Sequence, residues 1–133
     1  MPRIDALLSL SREHHTSLVV AREARRAAST GDPAALSAAV KRIESHWATL
    51  LVLHFEVEER LLETMESVLG AEVAARIRAE HEELRELGCN SCELDPRERL
   101  RRFSDLLGSH VRYEERIVFP QLQSHPGIIN AGV

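Results

Sequence analysis

The chain has 133 residues, which is enough for one domain with a substantial core and too few for two domains of ordinary size. Apolar residues make up 44% of the sequence and aromatic residues only 4%, so the core must be mainly aliphatic. A formal net charge of −4, with acidic and basic residues mixed, argues against a nucleic-acid-binding protein, which needs a strongly basic surface.

The sequence shows no segment that could cross a membrane. Its longest apolar run extends from Ala48 to Leu53 and is interrupted by Thr49, whereas a transmembrane helix needs about 20 apolar residues. No long apolar stretch precedes a cleavage site near the N-terminus, so no signal peptide is predicted. We therefore expect a cytoplasmic protein that interacts with neither membranes nor nucleic acids.

Helix signals predict two long helices in the first half of the chain. Pro2 is well placed to start the first, which we expect to end near Ser29. Asp32 is a suitable N-cap, and Pro33 fits the first position of the second helix. The apolar pattern of this helix continues to about Val68.

The second half predicts two more helices. Gly70 ends the preceding helix, and a third helix is expected from about residue 71 to residue 87. Residues 88–95 form a predicted loop, after which Asp95 and Pro96 repeat the cap-and-proline start. The fourth helix should end before Pro120, because the residue preceding a proline is disfavoured in the helical region.

Four amphipathic helices with short connections predict an all-α fold, an up-down-up-down antiparallel four-helix bundle. We expect residues 1–120 to form this single domain. Residues 121–133 are predicted to be a short, irregular C-terminal tail.

Two histidine–glutamate pairs share one spacing. His54 and Glu58 lie four residues apart on the second predicted helix, and His110 and Glu114 do so on the fourth. This spacing puts both side chains of a pair on one helix face. Each pair falls in an apolar stripe that should face the core, where a carboxylate without compensation costs several kcal/mol. The other members of the stripes are Ile43, Trp47, Leu50, Leu61 and Met65, and Leu100, Phe103, Leu107 and Ile117.

Two further histidines extend this pattern to all four helices. His14 lies on the apolar face of the first predicted helix and His81 on that of the third. Counting from the helix ends places them at the same depth as the two pairs in an antiparallel bundle. One such histidine would more often be a hydrogen-bonded core residue, but the combined set favours a buried metal. The candidate ligands are His14, His54, Glu58, His81, His110 and Glu114.

The remaining histidines fit less well. His15 competes with His14, but the helix face of His15 carries polar and basic residues, so we favour His14. His46 is out of phase with the apolar stripe, and we expect it at the periphery of the site or beside its ligands. His125 lies in the predicted tail and is not expected to bind a metal.

The ligand chemistry favours iron. Four imidazoles and two carboxylates suit a hard-to-borderline ion with more than four coordination positions, and each carboxylate can bridge two ions. A single structural zinc takes four ligands, usually including thiolate, while calcium and magnesium prefer oxygen ligands throughout. The His-x-x-x-Glu spacing also differs from the Glu-x-x-His motif of ferritin-like bundles.

The order of these motifs resembles the hemerythrin family, specifically the hemerythrin-like HHE cation-binding domains. The resemblance covers the chain from about residue 4 to residue 120. The matching segments are Ser-Arg-Glu-His14, His54-Phe-Glu-Val-Glu58-Glu59, Ala-Glu-His81-Glu-Glu-Leu and His110-Val-Arg-Tyr-Glu114-Glu115-Arg-Ile-Val-Phe-Pro120. It implies a four-helix bundle with a non-haem di-iron centre that reacts with dioxygen or related small molecules.

The resemblance also assigns ligands by position. It implies one iron on His14 and His54, the other on His81 and His110, and bridging carboxylates from Glu58 and Glu114. Oxygen-carrying hemerythrins have a second histidine one turn away on the third helix, where this chain has Ile77 on one side and Arg85 on the other. The centre is therefore expected to be one imidazole short, which argues against reversible oxygen carriage. Arg85 is expected to face solvent.

Three functions remain open at this point. The first is a di-iron protein that binds or reacts with dioxygen, peroxide or nitric oxide, as a sensor or scavenger. The second is an iron-responsive or iron-storing module. The third is a metal-free helical interaction domain. The candidate ligands on the apolar faces of all four helices argue against it. The fold alone does not choose among them.

The chain also contains a Cys-x-x-Cys pair, Cys89 and Cys92, in the predicted loop. A redox-active pair usually lies at the start of a helix, where the thiolate is stabilised, whereas this pair follows a helix end. We interpret it as incidental or merely oxidisable.

Overall fold

A computed structural model describes residues 5–125, which form an antiparallel bundle of four helices, as predicted. Two of the four bundle helices contain a π-helical turn. In chain order the elements are α1 (Asp5–Thr30), α2 (Pro33–His46), a first π-helical turn (Trp47–Leu51), α3 (Val52–Leu69), α4 (Ala71–Gly88), α5 (Pro96–Tyr113), a second π-helical turn (Glu114–Val118) and α6 (Phe119–Gln123). The helix start predicted at Pro2 lies outside the described residues. Across residues 5–125, no helix is long and apolar enough to cross a membrane.

The helix boundaries have the local causes that the sequence predicts. The Asp32 side chain accepts a hydrogen bond from the backbone N–H of Ala35 at 3.2 Å, and a proline occupies the first turn of α2. Asp95 caps α5 in the same way. Gly70 separates α3 from α4 with a φ of 93°, a conformation that glycine adopts without steric cost. These caps and breaks set the lengths of the bundle helices.

The core consists of two apolar clusters with the polar candidate residues between them. The first cluster includes Val20, Ala24, Ile43, Leu51, Leu84, Leu100 and Phe103, and the second includes Leu7, Leu10, Leu61, Met65, Ile77, Val118, Phe119 and Leu122. Along α1 and α4 the chain passes through the second cluster before the first. Along the other two bundle helices it passes through the first cluster before the second, as the antiparallel arrangement requires.

The π-helical turns explain where the predicted apolar stripes are wrong. Each turn accommodates one extra residue, which rotates the following side chains by about 100° relative to a regular α-helix. Trp47 and Leu50, predicted on the stripe, are therefore only half-buried, and Leu51 is buried instead. In the same way Ile117 is 47% exposed, and Val118 takes its place in the core.

The prediction that the fourth helix ends before Pro120 is also wrong. The helix continues as α6 to Gln123, with Pro120 in its first turn. The second π-helical turn closes just before it, where the N–H of Phe119 donates to the carbonyl oxygen of Glu114. A proline is tolerated in the first turn of a new α-helical segment. The division into domain and tail stays a prediction, and residues 126–133 lie outside the described residues.

Candidate metal centre

The six residues predicted as ligands are all buried and meet in the layer between the two apolar clusters. The most exposed of them, His81, has 4% of its surface exposed, and His110 has none. They form two groups, and the ligand atoms within each group lie within 4.8 Å of one another. The groups are His14, His54, Glu58 and Glu114, and Glu58, His81, His110 and Glu114. Because the two glutamates belong to both groups, the arrangement has the form of a two-ion site with shared carboxylates.

The Nε2 atoms of the four imidazoles point towards the shared carboxylates. His54 Nε2 lies 3.0 Å from Glu58 Oε2, and His81 Nε2 lies 2.8 Å from Glu58 Oε1. On the other side, the distances to Glu114 Oε1 are 3.0 Å for His14 Nε2 and 3.1 Å for His110 Nε2. Four different helical segments thus direct nitrogen and oxygen donors to one small volume.

The donor set fits metal ions better than it fits a closed hydrogen-bond network. His110 Nε2 is fully buried and has no hydrogen-bond partner, although Glu114 lies close to it. Buried polar atoms are rarely left without a partner, and a metal ion would satisfy this nitrogen. His14, His54, His81 and His110 with Glu58 and Glu114 would hold the ions, and bound ions would supply Lewis-acid or redox chemistry.

Three of the four imidazoles are fixed from outside by a carboxylate. Nδ1–H of His14 donates to Glu115 at 2.6 Å, and Nδ1–H of His54 donates to Glu13 at 2.9 Å. Nδ1–H of His110 donates to Glu80 at 2.7 Å. Such a bond sets the tautomer that leaves the Nε2 lone pair free, orients the ring, and raises its basicity towards a metal.

These outer carboxylates were not predicted from the sequence, although a signal for them exists. Glu13, Glu80 and Glu115 each directly precede or follow a candidate ligand in the chain. Successive residues on a helix point about 100° apart, so the glutamate faces a neighbouring helix rather than the ligand beside it. Each therefore fixes an imidazole from another helix. A Glu-His or Glu-Glu pair in which one residue is a candidate metal ligand therefore indicates an outer carboxylate of this kind.

Without metal, the cluster is held by charge. Burial lowers the pKa of His14, but hydrogen bonds to Glu114, Glu115 and Glu58 outweigh burial and raise this pKa to about 11. Burial raises the pKa of Glu58, yet the positive charge of His54 and hydrogen bonds from the imidazoles hold it well below its usual range. A protonated His14 and an ionised Glu58, whose Nε2 and Oε2 atoms lie 3.3 Å apart, thus stabilise each other in the metal-free cluster.

The other histidines lie apart from the two groups. His15 is exposed, as the preference for His14 requires. His46, expected at the periphery of the site or beside its ligands, belongs to neither group; it is 2% exposed and hydrogen-bonded to Ser17 Oγ at 2.9 Å. Burial and the charges of Arg42 and His54 lower its pKa to about 4, so the ring is neutral at pH 7.

The structure decides which residue of α4 occupies the place of an additional ligand. Ile77 is one turn before His81, is 1% exposed, and borders a small cavity with Glu58 and Glu114. Arg85, one turn after His81, has a side chain that is 57% exposed and bonds to Glu82. Of these two residues, Ile77 therefore faces the cluster, and Arg85 faces solvent as expected.

Replacing both cysteines, Cys89→Ser with Cys92→Ser, should leave the metal content and the visible spectrum unchanged. Cys89 follows the end of α4, about 12 Å along the helix axis from His81, and neither cysteine belongs to the buried groups. Elemental analysis of the double variant and the parent protein, purified side by side, measures this. Loss of metal from the double variant would mean that a ligand has been missed.

Comparison with known proteins agrees with this geometry. The model of the hemerythrin HHE cation-binding domain matches residues 6–122. No curated protein and no solved structure is significantly similar to the chain. Because the family model covers most of the 133 residues, the chain belongs to the hemerythrin HHE cation-binding domain family.

Proposed function

We propose that this is a non-haem di-iron protein that binds or reacts with dioxygen, peroxide or nitric oxide, as a sensor or scavenger. One observation carries the proposal: Glu58 and Glu114 belong to both groups of buried ligand atoms. A carboxylate that reaches two imidazole pairs at once is suited to bridging two ions, and a single ion would leave two imidazoles without a role.

Iron is the ion that best matches the donors. Each group offers two imidazole nitrogens and two carboxylate oxygens, with no thiolate. Zinc in structural sites usually has thiolate ligands, and calcium or magnesium would not choose four imidazoles. Two iron ions sharing two carboxylates keep open positions, which a small molecule can occupy.

A small, mainly apolar cavity lies next to the centre. It has a volume of about 10 Å³, which is close to the size of one water-sized probe. Its walls are Glu58 and Glu114 together with the apolar side chains of Leu61, Leu62, Ile77, Val118, Phe119 and Leu122. Apart from the two carboxylates the lining offers no polar group, and this favours an uncharged molecule such as dioxygen or nitric oxide over an anion.

An iron-responsive or iron-storing role is the alternative. The buried charges of His14, Glu58 and His110 support it, because a metal-free bundle would have to rearrange or protonate them and would thereby report iron occupancy. The same buried groups argue against a metal-free interaction domain. The cytoplasmic location expected from the sequence remains a prediction.

Iron-replete expression should yield about two iron atoms per chain, and Glu58→Gln or Glu114→Gln should reduce this to about one or fewer. Each substitution removes a charged donor that both ions would share. Elemental analysis with visible spectroscopy measures this, and the exposed Glu63→Gln on the same helix as Glu58 is the matched control. One zinc and no iron per chain would defeat the proposal.

A further inference from the structure

The imidazole of His81 is the exception among the four. Its Nδ1 is buried and has no hydrogen-bond partner, and the nearest carboxylate oxygen, on Glu59, lies 3.6 Å away. In place of an outer carboxylate, the ring is supported by stacking on Phe55, with the ring centres 3.8 Å apart and the planes at 13°. Stacking limits tilting of the ring, but it sets neither the tautomer nor the rotation within the ring plane.

The hydrogen bonds from the outer carboxylates to the imidazoles follow a pseudo-twofold pattern, from which His81 departs. Glu13 precedes His14 and bonds His54, just as Glu80 precedes His81 and bonds His110. Glu115 follows a shared glutamate and bonds His14. Glu59 also follows a shared glutamate, and it is the equivalent partner for His81. A hydrogen bond from His81 Nδ1–H to Glu59 would be the fourth of this pattern, but the two atoms are too far apart, at 3.6 Å.

A groove on the protein surface lies directly over this exceptional imidazole. It has a volume of about 210 Å³, and His81 and Glu59 both contribute to its wall. The remaining wall residues include Trp47, Phe55, Glu56, Arg78, Glu82 and Arg85. His81 thus contributes to the wall of the groove on one side and directs its Nε2 to Glu58 Oε1, at 2.8 Å, on the other.

The charges in the groove favour a cation over an anion. Its two arginines are already engaged, Arg78 with Glu66 at 3.0 Å and Arg85 with Glu82 at 2.5 Å. Within residues 5–125, Glu56 and Glu59 form no ion pair with an arginine or lysine. Two carboxylates without an arginine or lysine partner at the mouth raise the local concentration of a divalent cation.

We propose that the two metal positions are unequal, and that the ion on His81 and His110 is the exchangeable one, passing through the groove over His81. This inference rests on the proposed two-ion function. When that ion leaves, His14, His54, Glu58 and Glu114 still surround the other with four donors, which are enough to retain it. A one-ion form is therefore expected as a distinct species.

The test is release of metal from protein loaded with two Co²⁺ ions, mixed with excess chelator and followed by the visible absorption of cobalt. We expect two phases of equal amplitude whose rates differ about tenfold or more, the typical effect of one outer partner on metal affinity. Loading of two ions followed by a single release phase would overturn the inference alone. Failure to load more than one ion would overturn the proposed function.

Isosteric variants assign the phases to positions. Glu13→Gln loosens His54 and should speed only the slow phase, whereas Glu80→Gln loosens His110 and should speed the fast phase. Glu59→Gln removes a carboxylate from the groove and should slow Co²⁺ loading. Glu63→Gln, at an exposed residue of the same helix that does not line the groove, is the matched control and should change neither loading nor release by more than twofold. Acceleration of the fast phase by Glu13→Gln would reverse the assignment and overturn the inference.

Discussion

Removing the metal is expected to lower the melting temperature of the bundle by about 8 °C or more. A ligand present at about a thousand times its dissociation constant stabilises the native state by about 4 kcal/mol. In a domain of this size each kcal/mol shifts the melting temperature by roughly 2 to 8 °C. Calorimetric or circular-dichroism melts of chelated and iron-loaded protein measure the difference.

The difference should grow above neutral pH. In the metal-free protein the pKa of His14 is raised to about 11, so its protonation stabilises the fold fully below pH 6.5, and this stabilisation is lost as the pH rises towards 11. The lowered pKa of Glu58 acts in the opposite sense, and its contribution is lost as the pH falls below about 4.5. The lowered pKa of His46, about 4, adds a contribution that is full above pH 6.5 and is lost as the pH falls towards 4. Metal-free protein should therefore be most stable near pH 6.5, and iron-loaded protein should lose less stability than metal-free protein from pH 7 to 9.

A variant that cannot hold two ions separates this effect from damage by the chelator. The double variant Glu58→Gln with Glu114→Gln should melt at nearly the same temperature before and after chelation. Equal melting temperatures for the loaded and chelated parent protein would count against buried ligation by these six side chains.

The bundle could be predicted from the sequence because its signals are local. Asp32 with Pro33 and Asp95 with Pro96 start helices through contacts within one turn, and Gly70 ends one through its own backbone. The candidate ligands could also be predicted, because two residues four apart stay on one helix face even where the predicted apolar stripe around them is wrong. His54 with Glu58 and His110 with Glu114 stay on one face in the structure.

What could not be predicted depends on packing between helices. The two π-helical turns carry no obvious sequence signal, so the apolar stripe was misplaced within them, at Trp47, Leu50 and Ile117. The bonds from Glu13, Glu80 and Glu115 join residues on different bundle helices, and their existence depends on the rotation of each helix about its axis. Periodicity gives the face of a helix but not the rotation that brings a neighbouring carboxylate within 3 Å of a ring nitrogen.

The reduced, two-iron protein should be oxidised rapidly by dioxygen, without an absorption band that disappears reversibly on degassing. Ile77 supplies no donor where the resemblance implies an imidazole in oxygen carriers, so an ion held by His81 and His110 would keep an additional open position for a small oxidant. Stopped-flow mixing of reduced protein with dioxygen, followed by removal of the gas, measures both the rate and the reversibility. A reversible band in the parent protein would show it to be a carrier.

The variant Ile77→His tests whether the absence of an imidazole at this position causes the rapid, irreversible oxidation. Ile77 is buried one turn from His81 and beside Glu58 and Glu114, so a histidine there can offer a nitrogen to the same ion. We expect its reduced form to be oxidised at least about tenfold more slowly, because the imidazole would occupy a position that is otherwise open to the oxidant. A tenfold slower rate corresponds to about 1.4 kcal/mol of additional activation free energy. Ile77→Val is the matched control, since it alters packing by about 1 kcal/mol but adds no donor, and should keep the parent rate. If Ile77→Val slowed oxidation as much as Ile77→His, the effect would come from the shape of the cavity beside the ions, and the ligand count would not explain the reactivity.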